Sequence, residues 1–155
     1  MSRTMLTAQH VMQRSVFFLR PETQVLDAVD TLLLRGFSGA PVVDDRKIVG
    51  VFSERDAVTA IAAAHYEDEP PGTVAQHMRR EFDVVDASTD LYELASIFRD
   101  CPVRRLPVVD CSRRLLGIVS RGDVLKGLRQ QYAERQKNSY ERLQDHMALR
   151  HGTSR

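Results

Sequence analysis

Gly50-Val51-Phe52-Ser53-Glu54-Arg55-Asp56 returns later in the chain as Gly117-Ile118-Val119-Ser120-Arg121-Gly122-Asp123. Both times an apolar run ends in serine, and an aspartate follows three residues on. Just upstream, Ala40-Pro41-Val42-Val43-Asp44 returns as Leu106-Pro107-Val108-Val109-Asp110. The upstream pair is offset by 66 residues and the downstream pair by 67. Thr7 and Met12 match Thr73 and Met78, also at 66. The chain is two copies of one unit, with one residue gained between the matched segments. A fixed period of this kind governs the fold, because each repeat buries its apolar face only by packing on its neighbour.

Each copy reads as strand, helix, strand, strand, helix. In copy one, Val16 to Leu19 is a short apolar run before Pro21 and predicts a strand. Thr23 is placed to cap a helix whose apolar face is Val25, Leu26, Val29, Leu32 and Leu33, ended by Gly36. Ala40 to Val43 and Ile48 to Phe52 predict strands around the polar turn Asp44-Asp45-Arg46-Lys47. Ser53 then opens a helix to about Ala64. In copy two, Phe82 to Val85 predicts a strand and Thr89 caps the next helix. Leu106 to Val109 and Leu115 to Val119 predict strands, and Ser120 opens the last helix. The turn Asp110-Cys111-Ser112-Arg113-Arg114 is one residue longer, which accounts for the change of offset. The tripeptide Ala-Gln-His, at 8–10 and 75–77, is offset by 67 where its neighbours need 66, and reads as coincidence.

Length and composition fit one soluble domain of two halves. One copy of about 60 residues would bury only about 60% of its unfolded surface, so the copies are expected to share a fold. Apolar content is 43% and charged content 28% of 155 residues. A net charge of +1 and 6% aromatics argue against a nucleic-acid partner. No run approaches the roughly 18 apolar residues of a membrane span. Met1 to Met5 lacks a secretory apolar stretch, so a cytoplasmic location is expected. Cys101 and Cys111 match no metal or redox spacing and are expected as free thiols. His10, His65, His77, His146 and His151 show no zinc-ligand spacing. From Lys126 to Arg150 the tail reads as a long amphipathic helix. Its partial stripe is Leu125, Leu128, Tyr132, Tyr140, Leu143 and Met147, broken at Gln136.

The serine–aspartate phrase carries the functional signal. A strand that ends in serine at a helix start presents free backbone N–H groups and a positive dipole end, which suit phosphate. An aspartate in the first turn is acceptor-only and can take two bonds from a ribose diol. The same spacing is also a capping box, and one carboxylate can serve both ends. No glycine-rich phosphate loop, nucleophile elbow or Ser/His/Asp arrangement is present, so binding without catalysis is expected.

These doubled motifs resemble a cystathionine-β-synthase (CBS) domain pair, also called a Bateman module. The likeness rests on Met12 and Met78, Ala40 to Asp44 with Leu106 to Asp110, and Gly50 to Asp56 with Gly117 to Asp123. It covers roughly residues 5–130. It implies a mixed α/β (α+β) fold of two β-α-β-β-α repeats, at 5–66 and 73–130, packed with pseudo-two-fold symmetry. A helical tail at 131–150 and a disordered end at 151–155 would follow. It also implies a regulatory, non-enzymatic module with two clefts for adenosine compounds: AMP, ADP or ATP, with S-adenosylmethionine possible as ligand. A homodimer and a regulated protein partner are implied too.

By the same resemblance, the aspartate of each phrase holds the ribose and the serine helps hold the phosphate. The first cleft would use Asp123, Ser120, Ile118, Arg104, Arg105 and Arg121, with Met12, Phe17 and Phe37 from copy one. The second would use Asp56, Ser53, Val51, Ser38 and Gly39, with Met78, Asp83 and Val103 from copy two. Asp83 stands where Phe17 stands in the other copy, so the Asp123 cleft is expected to be the better site. The rival expectation is a ligand-free interaction module that acts through its C-terminal helix.

Overall fold

The strands that follow each copy's first helix fold back as hairpins because their turns force it. In the computed structural model, which describes residues 4–152, β1 (Gly39–Asp44) pairs antiparallel with β2 (Lys47–Ser53). The connecting Asp45 and Arg46 both have positive φ, 49° and 64°, the geometry of a two-residue turn that matches strand twist. In copy two, β4 (Arg105–Val109) pairs antiparallel with β5 (Leu115–Ser120). There the Asp110 carboxylate accepts from the N–H of Ser112 at 2.8 Å and of Arg114 at 3.0 Å. That side-chain turn absorbs the extra residue.

Four longer helices flank the hairpins: α2 (Val25–Arg35), α3 (Glu54–Glu67), α5 (Leu91–Asp100) and α6 (Arg121–His151). Two short ones, α1 (Ala8–Val11) and α4 (Val74–His77), were not anticipated. They obey the 66-residue offset. Thr7 and Thr73 are their N-caps and Met12 and Met78 their C-caps. His10 of one and Gln76 of the other fill the same capping position. The tripeptide Ala-Gln-His is accordingly out of structural register.

The expected first strands are almost absent. Leu19 alone bridges β1: its N–H donates to Pro41 O at 2.9 Å and its carbonyl accepts from Val43 at 2.8 Å. Extending the ladder backward needs an N–H on residue 41, and extending it forward needs one on residue 21. Both are prolines. In copy two Ala87 stands where Pro21 stands, and its N–H reaches Val109 O at 3.1 Å. A short β3 (Val85–Asp86) therefore forms, parallel to β4. Phe82 to Val84 stay outside it.

The expected threonine caps are also corrected. The N-caps are Gln24 and Asp90, one residue later, and Asp90 accepts from the Glu93 N–H at 2.9 Å. Thr23 and Thr89 each close a turn instead, their N–H groups donating to Arg20 O at 3.1 Å and Asp86 O at 3.0 Å. Val74 N–H donates to Thr23 O and Ala8 N–H to Thr89 O, both at 2.8 Å. Each copy's short leading helix thus seats on the other copy's helix start.

This exchange runs through the cores. Ala8 and Met12 are buried with Leu91, Leu94, Val108 and Val119 of copy two. Val74 is buried with Val25, Leu32, Val42 and Phe52 of copy one. The two hairpins also touch end to end, where Ile48 N–H donates to Arg113 O and Leu115 N–H to Arg46 O.

Helix α6 is one continuous element of 31 residues, about 46 Å long at 1.5 Å per residue. Its first turns pack on copy two, and from Tyr132 onward every described residue is exposed. The helix includes His151, the first residue of the end expected to be disordered. Residues 153–155 lie outside the described residues. No described helix is long and apolar enough to cross a membrane, and both cysteines are free.

Candidate functional site

The two strand-to-helix junctions carry the site. Ser120 ends β5 and caps α6, and Ser53 ends β2 and caps α3. The Ser120 N–H donates to Asp123 Oδ2 at 2.8 Å, and Asp123 N–H returns to Ser120 Oγ at 3.1 Å. The Ser53 N–H donates to Asp56 Oδ2 at 2.8 Å and its hydroxyl to the same oxygen at 2.9 Å. The capping box is therefore real in both copies, and it uses Oδ2. Asp123 is the one buried charged residue among the described residues, at 8% exposure.

Each junction is completed from the other copy. Gln13 and Ile118 exchange two backbone hydrogen bonds, at 2.8 and 2.9 Å. Arg79 and Val51 exchange two, both at 2.9 Å. The preceding methionines lie over the strand glycines so closely that a Cβ on Gly117 would sit 2.6 Å from Met12 Sδ. A Cβ on Gly50 would sit 2.5 Å from Met78 Sδ. Glycine is what lets the two copies interlock here.

Gln13 and Arg79 also reach the two junctions, and the sequence reading did not single them out. The Gln13 side-chain amide donates to Asp123 Oδ1 at 3.2 Å. The Arg79 guanidinium stands 3.9 Å from Asp56 Oδ2. The available signal was the repeat itself: both lie one residue past the matched methionines.

Around Asp123 several of the expected residues are neighbours. Arg105 is the register partner of Ser120, and Arg121 N–H donates to Arg104 O at 3.2 Å. The Arg105 guanidinium lies 5.9 Å from the centre of the Phe37 ring, and Phe37 packs 5.9 Å from Phe17, tilted by 35°. Arg35 covers the Phe17 ring at 4.8 Å. A buried carboxylate and a helix N-terminus thus stand beside Arg105, whose guanidinium leads on to two packed aromatic rings. Glu54, the repeat counterpart of Arg121, lines the groove between α2 and α3 on the outer face.

Around Asp56 the assembly is poorer. Gly39 is the register partner of Ser53, and Glu54 N–H donates to Ser38 O at 2.9 Å. Val51 and Met78 are in place, as above. The repeat counterparts of Phe17 and Phe37 are Asp83 and Val103, both exposed. Among the described contacts, Asp83 is engaged only by the Cys101 thiol, at 3.9 Å.

Comparison with known proteins identifies the repeated unit. A family model described as the CBS domain matches residues 8–63 and 74–130. The uncharacterized protein MJ1232 of Methanocaldococcus jannaschii is 30% identical over 113 residues, 73% of this chain and 36% of that protein. The chain spans less than half the length of the first curated relatives it matches. The CBS-pair protein CBSX2 from Arabidopsis thaliana is 29% identical with a TM-score of 0.68, over 84% of this chain and 99% of that one. A crystal structure of CBSX2 in complex with AMP is 31% identical with a TM-score of 0.69, over 80% and 96%. With two matched repeats, interlocked glycines and paired serine–aspartate junctions, the chain belongs to the CBS domain family, as a tandem pair.

Proposed function

We propose that the chain is a regulatory module that senses an adenine nucleotide of the AMP, ADP or ATP class, with S-adenosylmethionine as a further ligand. The observation that carries this is the Asp123 junction. A buried carboxylate and a helix start stand there beside Arg105, whose guanidinium lies near the packed rings of Phe37 and Phe17, with Arg104 next to it in sequence. The carboxylate suits a ribose diol, the helix start and guanidinium groups suit phosphate, and the rings suit a purine. The AMP complex of CBSX2 supports the choice of ligand class. The reading contains no chemistry. Occupancy is passed to a regulated protein by favouring one packing of the two copies, with a coupling of about 1–3 kcal/mol.

A thermal-shift panel of AMP, ADP, ATP, S-adenosylmethionine and cyclic di-AMP tests this. A ligand at 100 times its Kd should stabilise the fold by about 2.7 kcal/mol. At roughly 2–4 °C per kcal/mol for a chain of this size, that is a rise of several degrees. A flat response to all five at millimolar concentration would reject the reading.

The same module is read as a homodimer that works in the cytoplasm. A groove of about 620 Å³ between α2 and α3 is lined by Leu32, Leu33, Val58 and Ile61, with Leu33 and Val58 each 69% exposed. Contiguous exposed apolar surface of this kind marks an interface. Light scattering at micromolar concentration should give about twice the chain mass, and a clean monomer would count against it. A second reading, interaction without ligand, is favoured by α6 alone. Its exposed Tyr132, Tyr140, Leu143 and Met147 offer a surface that the nucleotide reading does not use.

A further inference from the structure

We propose that the residue one past each repeated methionine, Gln13 at one cleft and Arg79 at the other, decides which cleft takes a nucleotide. This rests on the nucleotide-sensing reading above and names the side chain that selects between its two sites. The two positions are equivalent in backbone. Each is pinned by two hydrogen bonds to the free edge of the other copy's strand, at Ile118 or Val51. Each therefore sends its side chain from one copy toward the ribose-holding aspartate of the other. Only the chemistry differs.

At Asp123 the arriving group is a neutral amide, bonded to Oδ1 at 3.2 Å. A ribose hydroxyl is an equivalent donor and can replace it one bond for one. Ser120 Oγ accepts from the Asp123 N–H, which leaves its own proton free for a phosphate oxygen. At Asp56 the arriving group is a guanidinium, 3.9 Å from Oδ2. That same oxygen already takes the Ser53 N–H and the Ser53 hydroxyl. The serine proton is spent on the carboxylate, and a permanent cation compensates its charge. A cation holds a carboxylate more firmly than a neutral donor does. A diol must compete with it, and the cleft gains no Arg104–Arg105 pair in return, since Ser38 and Gly39 stand there. Arg79 thus acts as a built-in counter-ion that keeps the Asp56 cleft weak.

The test exchanges the two side chains and reads sites by calorimetry with AMP as the probe. Both residues are exposed and both bridges use backbone atoms, so Arg79→Gln and Gln13→Arg leave the interlock intact. Wild type should show one tight site. Arg79→Gln should strengthen the second site at least tenfold, and adding Asp56→Ala should remove that gain. Gln13→Arg should weaken the tight site at least tenfold. The double exchange should move the tighter site to Asp56. If Arg79→Gln weakens the second site, the arginine binds phosphate and the proposal is overturned. If wild type binds AMP and neither exchange changes affinity or stoichiometry, the proposal is overturned while the sensing reading stands. If wild type binds AMP at neither site, the ligand of the panel that does bind replaces it as the probe, and if none of the five binds, both fall.

Discussion

Asp123→Ala is expected to weaken the tightest adenine-nucleotide site at least tenfold, a loss of about 1.4 kcal/mol or more. Asp56→Ala should leave that site within about threefold. The asymmetry follows from what each carboxylate meets. Asp123 is buried, is bonded by Gln13 through a neutral amide and lies in the cleft with Phe17, Phe37 and Arg105. On the proposed reading, removing it takes away both acceptors for the ribose diol, at the one buried charged residue among those described. Asp56 faces Arg79 across a cleft whose aromatic positions hold Asp83 and Val103. Calorimetry on the two variants decides the matter. Loss of the tight site with Asp56→Ala, and its survival with Asp123→Ala, would reverse the assignment.

The second large effect is expected at Gly117. An alanine there would place its Cβ 2.6 Å from Met12 Sδ and 2.7 Å from the Gln13 carbonyl oxygen. The methionine can swing aside, but the carbonyl cannot, because it accepts the Ile118 N–H that joins the copies. Overpacking of this kind costs about 1–3 kcal/mol. The melting temperature should fall by roughly 2–4 °C for each kcal/mol lost. Gly122→Ala is the control, since its nearest atom lies 3.6 Å away. It should be neutral, or stabilise α6 by up to about 1 kcal/mol through helix propensity. Equal melting of the two variants would refute the close-approach argument.

The doubling, the hairpins and both serine–aspartate junctions were legible because each leaves a local pattern, and the period made that pattern occur twice. The lone bridge at Leu19 was not. It depends on missing N–H groups at Pro21 and Pro41, and the apolar run Val16 to Leu19 says nothing about a partner strand's donors. Helices α1 and α4 have four residues each, too few for any periodicity to show. The displacement of the caps from Thr23 to Gln24 and from Thr89 to Asp90 comes from backbone pairing with Gly72 to Val74 and Leu6 to Ala8. Gln13 meets Asp123 across 110 residues of chain. No local rule reaches that far. Only extending the repeat one residue past each methionine would have pointed to it.

The exchange of leading helices has a consequence for ancestry. Each copy lacks the piece that closes its own core and carries the piece that closes the other's, in the same register and with the same caps. A chain half this length, holding one such unit, could satisfy both requirements by trading its first turn with an identical twin. The linker that leaves α3 at Asp68 then makes this exchange permanent. It turns an encounter between two molecules into a property of one. It also lets the two halves drift apart in sequence, so that a glutamine and an arginine now occupy positions that a symmetric ancestor had to fill with the same residue.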